Sequence, residues 1–169
     1  MLVPLFLTAD LKEPHMVLTK RRADLRRHAG EISFPGGRRD PDDADLRQTA
    51  LREAEEEIGL PRSAVSILAE LPATSTFATN YVIHPFVAEI AAGQRWLASP
   101  REVDAVLELP VRALRESRTR TRMERRGFSF ETDAYILGEH LIWGATARII
   151  EELLARRMSI GEDGRLSLD

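Results

Sequence analysis

The sequence predicts an α/β domain in which a β-sheet carries helices, and three observations lead there. Short apolar runs of strand length, LVPLFL at Leu2–Leu7 and MVLT at residues 16–19, are bounded by polar segments containing Pro or Gly. Two longer stretches, about residues 44–58 and 143–157, space their apolar residues at the helical period and have further strand-like runs between them. Finally, 169 residues with 43% apolar content suit one domain with a sizeable core, and no linker, internal repeat or low-complexity tract divides the chain.

In order, residues 2–7 and 16–19 read as two strands joined by a polar connection containing Pro14. A basic segment follows, with Lys20, Arg21, Arg22, Arg26, Arg27 and His28. On composition alone it is a solvated face. Its place a few residues ahead of an acidic cluster gives the second reading, cations that meet a polyphosphate. Gly36 and Gly37 then open a turn through Asp40 and Pro41 into the helix 44–58, which stops at Gly59, the residue best able to form a left-handed C-cap.

At about 100° per residue, Glu53, Glu56 and Glu57 share one face of that helix. Glu55 points elsewhere, and Ala50, Leu51, Ala54 and Ile58 form the apolar stripe. Glu53 and Glu57 are a like-charge i,i+4 pair at the negative end of the helix dipole, each placement unfavourable by a few tenths of a kcal/mol or more. Arg52 reaches Glu56 at i,i+4 and offsets part of this. A local rule broken without structural gain marks a functional site, and the simplest compensation is a divalent cation on the carboxylate oxygens. The competing reading, a solvated acidic face, is weakened by the Gly-rich loop directly ahead of the helix.

Residues 66–71 read as a strand, 72–80 as a Thr/Ser/Ala-rich loop, and 81–90 (YVIHPFVAEI) as a longer strand in which Pro85 marks an edge or bulge. His84 has no second histidine near it and is expected as a core or edge residue rather than a ligand. Residues 91–101 form a loop anchored by Trp96, before a strand at 105–109 and a short helix begun by Pro110. Arg118, Arg120 and Arg122 alternate with threonines, which puts three guanidinium groups on one strand face, either solvated or in contact with an anionic substrate or RNA. The final helix carries Ile149, Ile150, Leu153 and Leu154 and is expected on the sheet face opposite the first helix; its Gly144 permits close approach of backbone or ligand. The polar tail 159–169 is expected to fray.

Composition excludes several classes. Without cysteine there is no disulfide, zinc-thiolate site or thiol catalysis. A formal net charge of -3 requires that an anionic partner be met by local basic groups or a metal. No apolar run approaches a membrane span and the start lacks a secretory pattern, so a cytoplasmic protein with no membrane partner is expected. Nothing in the pattern fixes an oligomeric state.

The stretch 36–60, GGRRDPDDADLRQTALREAEEEIGL, resembles the Nudix box, whose usual pattern is G, five residues, E, seven residues, then R-E-U-x-E-E-x-G-U with U apolar. Arg52, Glu53, Ala54, Glu55, Glu56, Glu57, Ile58, Gly59 and Leu60 match its second half. The first half departs: counted from Gly37, Asp43 stands where Glu is usual, and eight residues precede Arg52. The preceding run LTKRRADLRRHAGEISFPGG is similar to the signature L-L-T-x-R-(S or A)-x3-R-x3-G-x3-F-P-G-G of the coenzyme A pyrophosphatase subfamily. Leu18, Thr19, Arg21, Arg26, Gly30, Phe34, Pro35, Gly36 and Gly37 fall on it, while Val17 and Arg22 depart. The later LIWGATA resembles the same subfamily.

The resemblance implies a Nudix fold, a mixed β-sheet sandwiched between α-helices. It also implies hydrolysis of the diphosphate of coenzyme A to 3',5'-ADP and 4'-phosphopantetheine. Magnesium, with manganese as the alternative, is expected on Glu53, Glu56 and Glu57, with Arg52 orienting Glu56. A further carboxylate outside the box, Glu102 first and Glu139 second, would bind metal or accept the water proton. Arg21, Arg22, Arg26 and Arg27 are expected on the substrate phosphates, with backbone N–H groups at Gly36 and Gly37 facing them. Two other readings stay open. NADH, ADP-ribose or a dinucleoside polyphosphate shares the chemistry, because the box reads only diphosphate and metal. A non-catalytic Nudix-fold module for RNA or a regulatory nucleotide is the other, against which the intact REAEEEIG speaks; the expected partner is a small-molecule substrate, not nucleic acid.

Overall fold

Every residue from Leu2 to Phe6 is buried, which in a strand requires cover on both faces. The computed structural model, which describes residues 1–10, 13–25, 28–76, 81–125 and 127–169, supplies that cover. Its elements are β1 (Leu2–Leu7), β2 (Pro14–Arg21), β3 (Ile32–Ser33), α1 (Leu46–Ile58), β4 (Val65–Glu70), β5 (Thr74–Ser75), β6 (Val82–Ile83), β7 (Phe86–Ile90), β8 (Val103–Pro110), α2 (Val111–Glu116), β9 (Arg118–Arg125), β10 (Phe128–Leu137), β11 (His140–Trp143), α3 (Gly144–Ala155), β12 (Met158–Ile160) and β13 (Leu166–Leu168).

The main sheet is mixed: β1 runs parallel to β7 and antiparallel to β2, and β4 lies antiparallel beyond β7. One edge of β2 is paired with β8 from His15 to Arg21. The other edge is shared, with β1 beside residues 14–16 and β3 beside Thr19 and Lys20. β1 and β2 therefore part toward one end, and residues 32–35 wedge between them, with the Leu2 N–H donating to the Pro35 carbonyl at 2.9 Å. That wedge delivers Gly36 and Gly37 to the start of β1.

Alternation along the strands separates two apolar layers. Ala50, Ala54 and Ile58 of α1 pack with Leu2, Phe6, Val17, Phe86 and Ala88, while Ile149, Ile150 and Leu153 of α3 pack with Val3, Leu5, Met16, Leu18 and Val87. The sheet thus lies between the two helices, as the sequence led one to expect. The first helix starts two residues later than predicted because the Asp45 side chain caps it, accepting from the Gln48 N–H at 2.8 Å. At its end Gly59 has φ 69°, and a Cβ there would stand 2.7 Å from that of Leu97.

Three expectations are corrected. The run 81–90 is two strands: Pro85 has no N–H to give a ladder, so among the described residues β6 pairs with β5 alone, and β7 is a central strand rather than an edge. Residues 77–80 of the preceding loop lie outside the described residues. Gly144 is required by its φ of 67° at the start of α3, and not by close approach of backbone, since among the described residues no atom lies within 4 Å of where a Cβ would stand. The tail does not fray: β12 and β13 form a hairpin, Leu166 is buried, and Glu89 accepts from the Leu166 N–H at 2.8 Å and from Arg165 Nε at 2.9 Å.

On β9 the three arginines are exposed and partnered. Arg118 pairs with Glu151, Arg120 with Glu131 at 3.4 Å, and Arg122 donates to the Ser129 hydroxyl at 2.8 Å. Among the described residues no helix is long and apolar enough to cross a membrane. The docked hairpin sets an expected outcome: Leu166→Ala lowers unfolding stability by about 2 kcal/mol or more in urea titration, whereas truncation in a frayed tail would change it negligibly.

Candidate active site

The acidic face of α1 is held against the Gly36–Gly37 wedge, and burial sorts its three glutamates. Glu57 is buried, Glu53 is half-buried and Glu56 is exposed. A Cβ on Gly37 would stand 2.4 Å from the Glu53 carboxyl carbon, so glycine is what lets that carboxylate lie over the turn. Glu57 Oε2 accepts from the Gly36 N–H at 3.3 Å, and its other oxygen lies 4.0 Å from Arg21 Nη1. The Gly36 N–H, expected to face phosphate, is thus turned to Glu57. Burial pushes Glu57 up to about 7, against the pull of that N–H and with help from the charge of Glu53. Burial also raises Glu53, opposed by Arg52.

Arg52 does more than orient Glu56. Its guanidinium donates to Asp43 through Nε at 3.1 Å and Nη2 at 3.0 Å, to the Arg38 carbonyl at 3.0 Å, and to Glu56 at 3.2 Å, and pairs with Glu53 at 3.0 Å. Asp43 is buried and held well below the usual carboxylate range, chiefly by Arg52 and then by the Asp40 N–H. The residue that departs from the box pattern therefore anchors the arginine that spaces the carboxylates. No local signal pointed to this; it requires the loop 38–43 to fold back on the helix.

Arg21 and Glu102 do come to the cluster. Arg21 Nη1 lies 3.6 Å from Glu102 Oε2, and among the described residues its buried Nε has no hydrogen-bond partner. Glu102 arrives because its loop is tied to the end of α1, with the Ser99 N–H on the Glu57 carbonyl at 2.8 Å and the Leu97 N–H on that of Ile58 at 3.0 Å. Arg22 does not come: its guanidinium is committed to Asp24 at 2.7 and 2.9 Å. Arg26 and Arg27 lie outside the described residues. Glu139 instead lines a separate cleft with Lys20 and Trp143, and His84 faces Glu70 at 3.2 Å.

As the side chains stand, no three Asp, Glu or His groups among the described residues converge on one point. The donor set nevertheless fits a hard divalent cation. All its atoms are carboxylate oxygens, and the two inner carboxyls are pushed up by burial next to each other, which marks a place short of positive charge.

A mixed sheet between two helices, with one buried and one half-buried carboxylate and an arginine brought together at one end, is the build of an α/β domain with a candidate active site. The NUDIX domain family model matches residues 3–130, and the chain belongs to that family. It is 39% identical over 143 residues to the uncharacterized Nudix hydrolase NudL of Photorhabdus laumondii, covering 83% of this chain and 76% of that protein. Among solved structures, the Nudix hydrolase RenU of M. smegmatis superposes with a TM-score of 0.57 at 19% identity, over 68% of this chain and 71% of that one. The C. elegans Ap4A hydrolase binary complex gives 0.55 at 19% identity, over 66% and 78%. The two share the fold. The chain is accordingly a Nudix hydrolase, a pyrophosphatase acting on a nucleoside diphosphate derivative.

The raised pKa of Glu57 gives a signed pH dependence. A folded value of about 7 above the ordinary 4.5 favours the folded state while the carboxyl is protonated, so this contribution is complete below the ordinary value and is lost as pH rises through about 7. In chelator, wild type is expected to lose a few kcal/mol relative to Glu57→Gln between about pH 5 and 8, measured by denaturant titration of both. Parallel profiles would exclude burial of an ionisable carboxyl at this position.

Proposed function

We propose that this Nudix hydrolase cleaves the diphosphate of coenzyme A, releasing 3',5'-ADP and 4'-phosphopantetheine. The observation that carries the reading is the joint placement of Arg21, Gly36 and Gly37, which fall on the coenzyme A signature, against Glu53 and Glu57 of the box. Phe34 and Pro35 of the same signature are buried in the wedge and fix the turn.

Glu53, Glu56 and Glu57 would hold magnesium or manganese, which on binding polarises phosphoryl oxygens and lowers the pKa of a bound water. The remaining work falls to the chain itself. Arg21, its side chain a quarter exposed beside Glu57 and Glu102, binds a phosphate oxygen. Glu102, half exposed and 3.6 Å from Arg21, takes the proton of the attacking water. Arg52 keeps its contacts with Asp43 and the Arg38 carbonyl, and so holds Glu53 and Glu56 in place.

Mass spectrometry of products formed from coenzyme A with magnesium is expected to find 3',5'-ADP. Glu53→Gln and Glu57→Gln are expected to lose turnover by about a hundredfold or more while remaining folded. Turnover of NADH or dephospho-coenzyme A faster than that of coenzyme A would overturn the substrate assignment. Unchanged turnover in Glu57→Gln would overturn the site.

A further inference from the structure

The turn that carries Glu102 is anchored at three points, and one anchor is a side chain. Residues 99–102 close on themselves, with the Glu102 and Val103 N–H groups donating to the Ser99 carbonyl at 3.1 and 2.9 Å. One side of the turn is fastened to α1 by the Ser99 N–H on the Glu57 carbonyl. The other is fastened to the end of β2, where the Arg22 N–H donates to the Glu102 carbonyl at 3.0 Å. Any residue but proline could supply those two donors. The middle of the turn is held differently, by Arg22 Nη1 donating to the Pro100 carbonyl at 2.5 Å.

Arg22 can reach across because its own fork is fixed. Nε and Nη2 lie on the two carboxylate oxygens of Asp24 at 2.9 and 2.7 Å, which leaves Nη1 for the turn. Serine or alanine, which the coenzyme A signature has at this position, is too short to meet either partner, and lysine has one charged nitrogen where three are used. With side chains 41% and 65% exposed, the Arg22–Asp24 pair adds little to folding stability, so its consequence lies in where it holds the turn. Glu102 depends on that placement. Its carboxylate is half exposed, and among the described residues its ion pair is with Arg21 at 3.6 Å, a loose contact that does not fix its position.

We propose that Arg22 is a positioning residue for Glu102: by bridging Asp24 and the Pro100 carbonyl it fixes the turn, and so sets where the carboxylate stands when it takes the proton of the attacking water. The inference rests on that reading of Glu102 and not on which diphosphate is cleaved.

The test is a double-mutant cycle on kcat. Arg22→Ser is expected to lower kcat about tenfold, with KM changed by less than about twofold and the midpoint of urea unfolding unchanged. Glu102→Gln is expected to lower kcat about a hundredfold, and Arg22→Ser added to it to cost nothing more, because no carboxylate remains to be placed. Binding of Mn2+ in the absence of substrate, followed by electron paramagnetic resonance, is expected to be the same in Arg22→Ser and wild type. Additive losses, or unchanged kcat in folded Arg22→Ser, would overturn the inference. Weaker Mn2+ binding would overturn it as well, since the turn would then be acting on α1. Unchanged kcat in Glu102→Gln would overturn the reading of Glu102 and the inference with it. Rates are taken on whichever of coenzyme A, NADH and ADP-ribose is turned over fastest, so failure of the coenzyme A assignment alone leaves the cycle readable, and no turnover of any of them would overturn both. Should Arg22→Ser not fold, Asp24→Asn, which loosens the same fork from its other side, is read against Glu102→Gln in the same way.

Discussion

Arg52 carries one positive charge and lies within 3.2 Å of three carboxylates, Asp43, Glu53 and Glu56, and 3.0 Å from the Arg38 carbonyl. The rest of the acidic helix depends on this arrangement. Without it, like charges one turn apart at the negative end of a helix would repel, and the loop 38–43 would have nothing to close upon. The planar fork suits the task, because separate N–H groups reach separate oxygens at fixed angles, which a lysine ammonium on a flexible stem does not reproduce. Asp43 is bound through two N–H groups on one edge of that fork and is itself fixed by the Asp40 N–H, so the guanidinium is held from behind while it holds the glutamates in front.

This local arrangement is useful only because the sheet brings the right partners to it. Parting of β1 from β2 leaves room for the wedge 32–35, and the two glycines that follow have no side chains to keep α1 away. The same parting leaves Arg21 at the end of β2, directed at Glu57. From the other side, the loop before β8 is tied by backbone hydrogen bonds to the last turn of α1 and carries Glu102 inward. Three segments distant in sequence thus meet at one sheet edge.

What could be read in advance was what is encoded locally. The first helix, its glycine cap and its acidic face follow from spacing alone, and burial of Ala50, Ala54 and Ile58 agrees with the stripe. The two-sided sheet was legible in the unbroken apolar run of β1. What was not legible depends on partners far along the chain. The tail hairpin is two three-residue strands, too short for a periodic signal, and it is docked by Glu89, 77 residues from Leu166. Pro85 was recognised as a disturbance, but whether it sits at an edge or divides two strands is decided by β1, which pairs with the residues after it. The partners of Asp43 and Arg22 were not legible for a related reason. Sequence places charges near one another, whereas a neighbour such as Asp24 or a folded-back loop decides which charge each one serves.

The energetic balance of the cluster bears on how a cation would be held. Burial raises both Glu53 and Glu57, so the folded protein bears an electrostatic cost at the position where the proposed chemistry needs negative charge. Arg52 relieves part of it, pairing with Glu53 at 3.0 Å as well as with Glu56 and Asp43, whereas among the described residues no ion pair joins it to Glu57. A complete internal solution would need a second basic group in contact with Glu57, and Arg21 at 4.0 Å stands just outside such contact while also facing Glu102. The inner carboxyls are therefore incompletely neutralised. On the proposed reading that shortfall is what gives a hard cation its affinity, since an already neutralised pair would gain little from binding one, and Arg21 remains available to the phosphate that arrives with it.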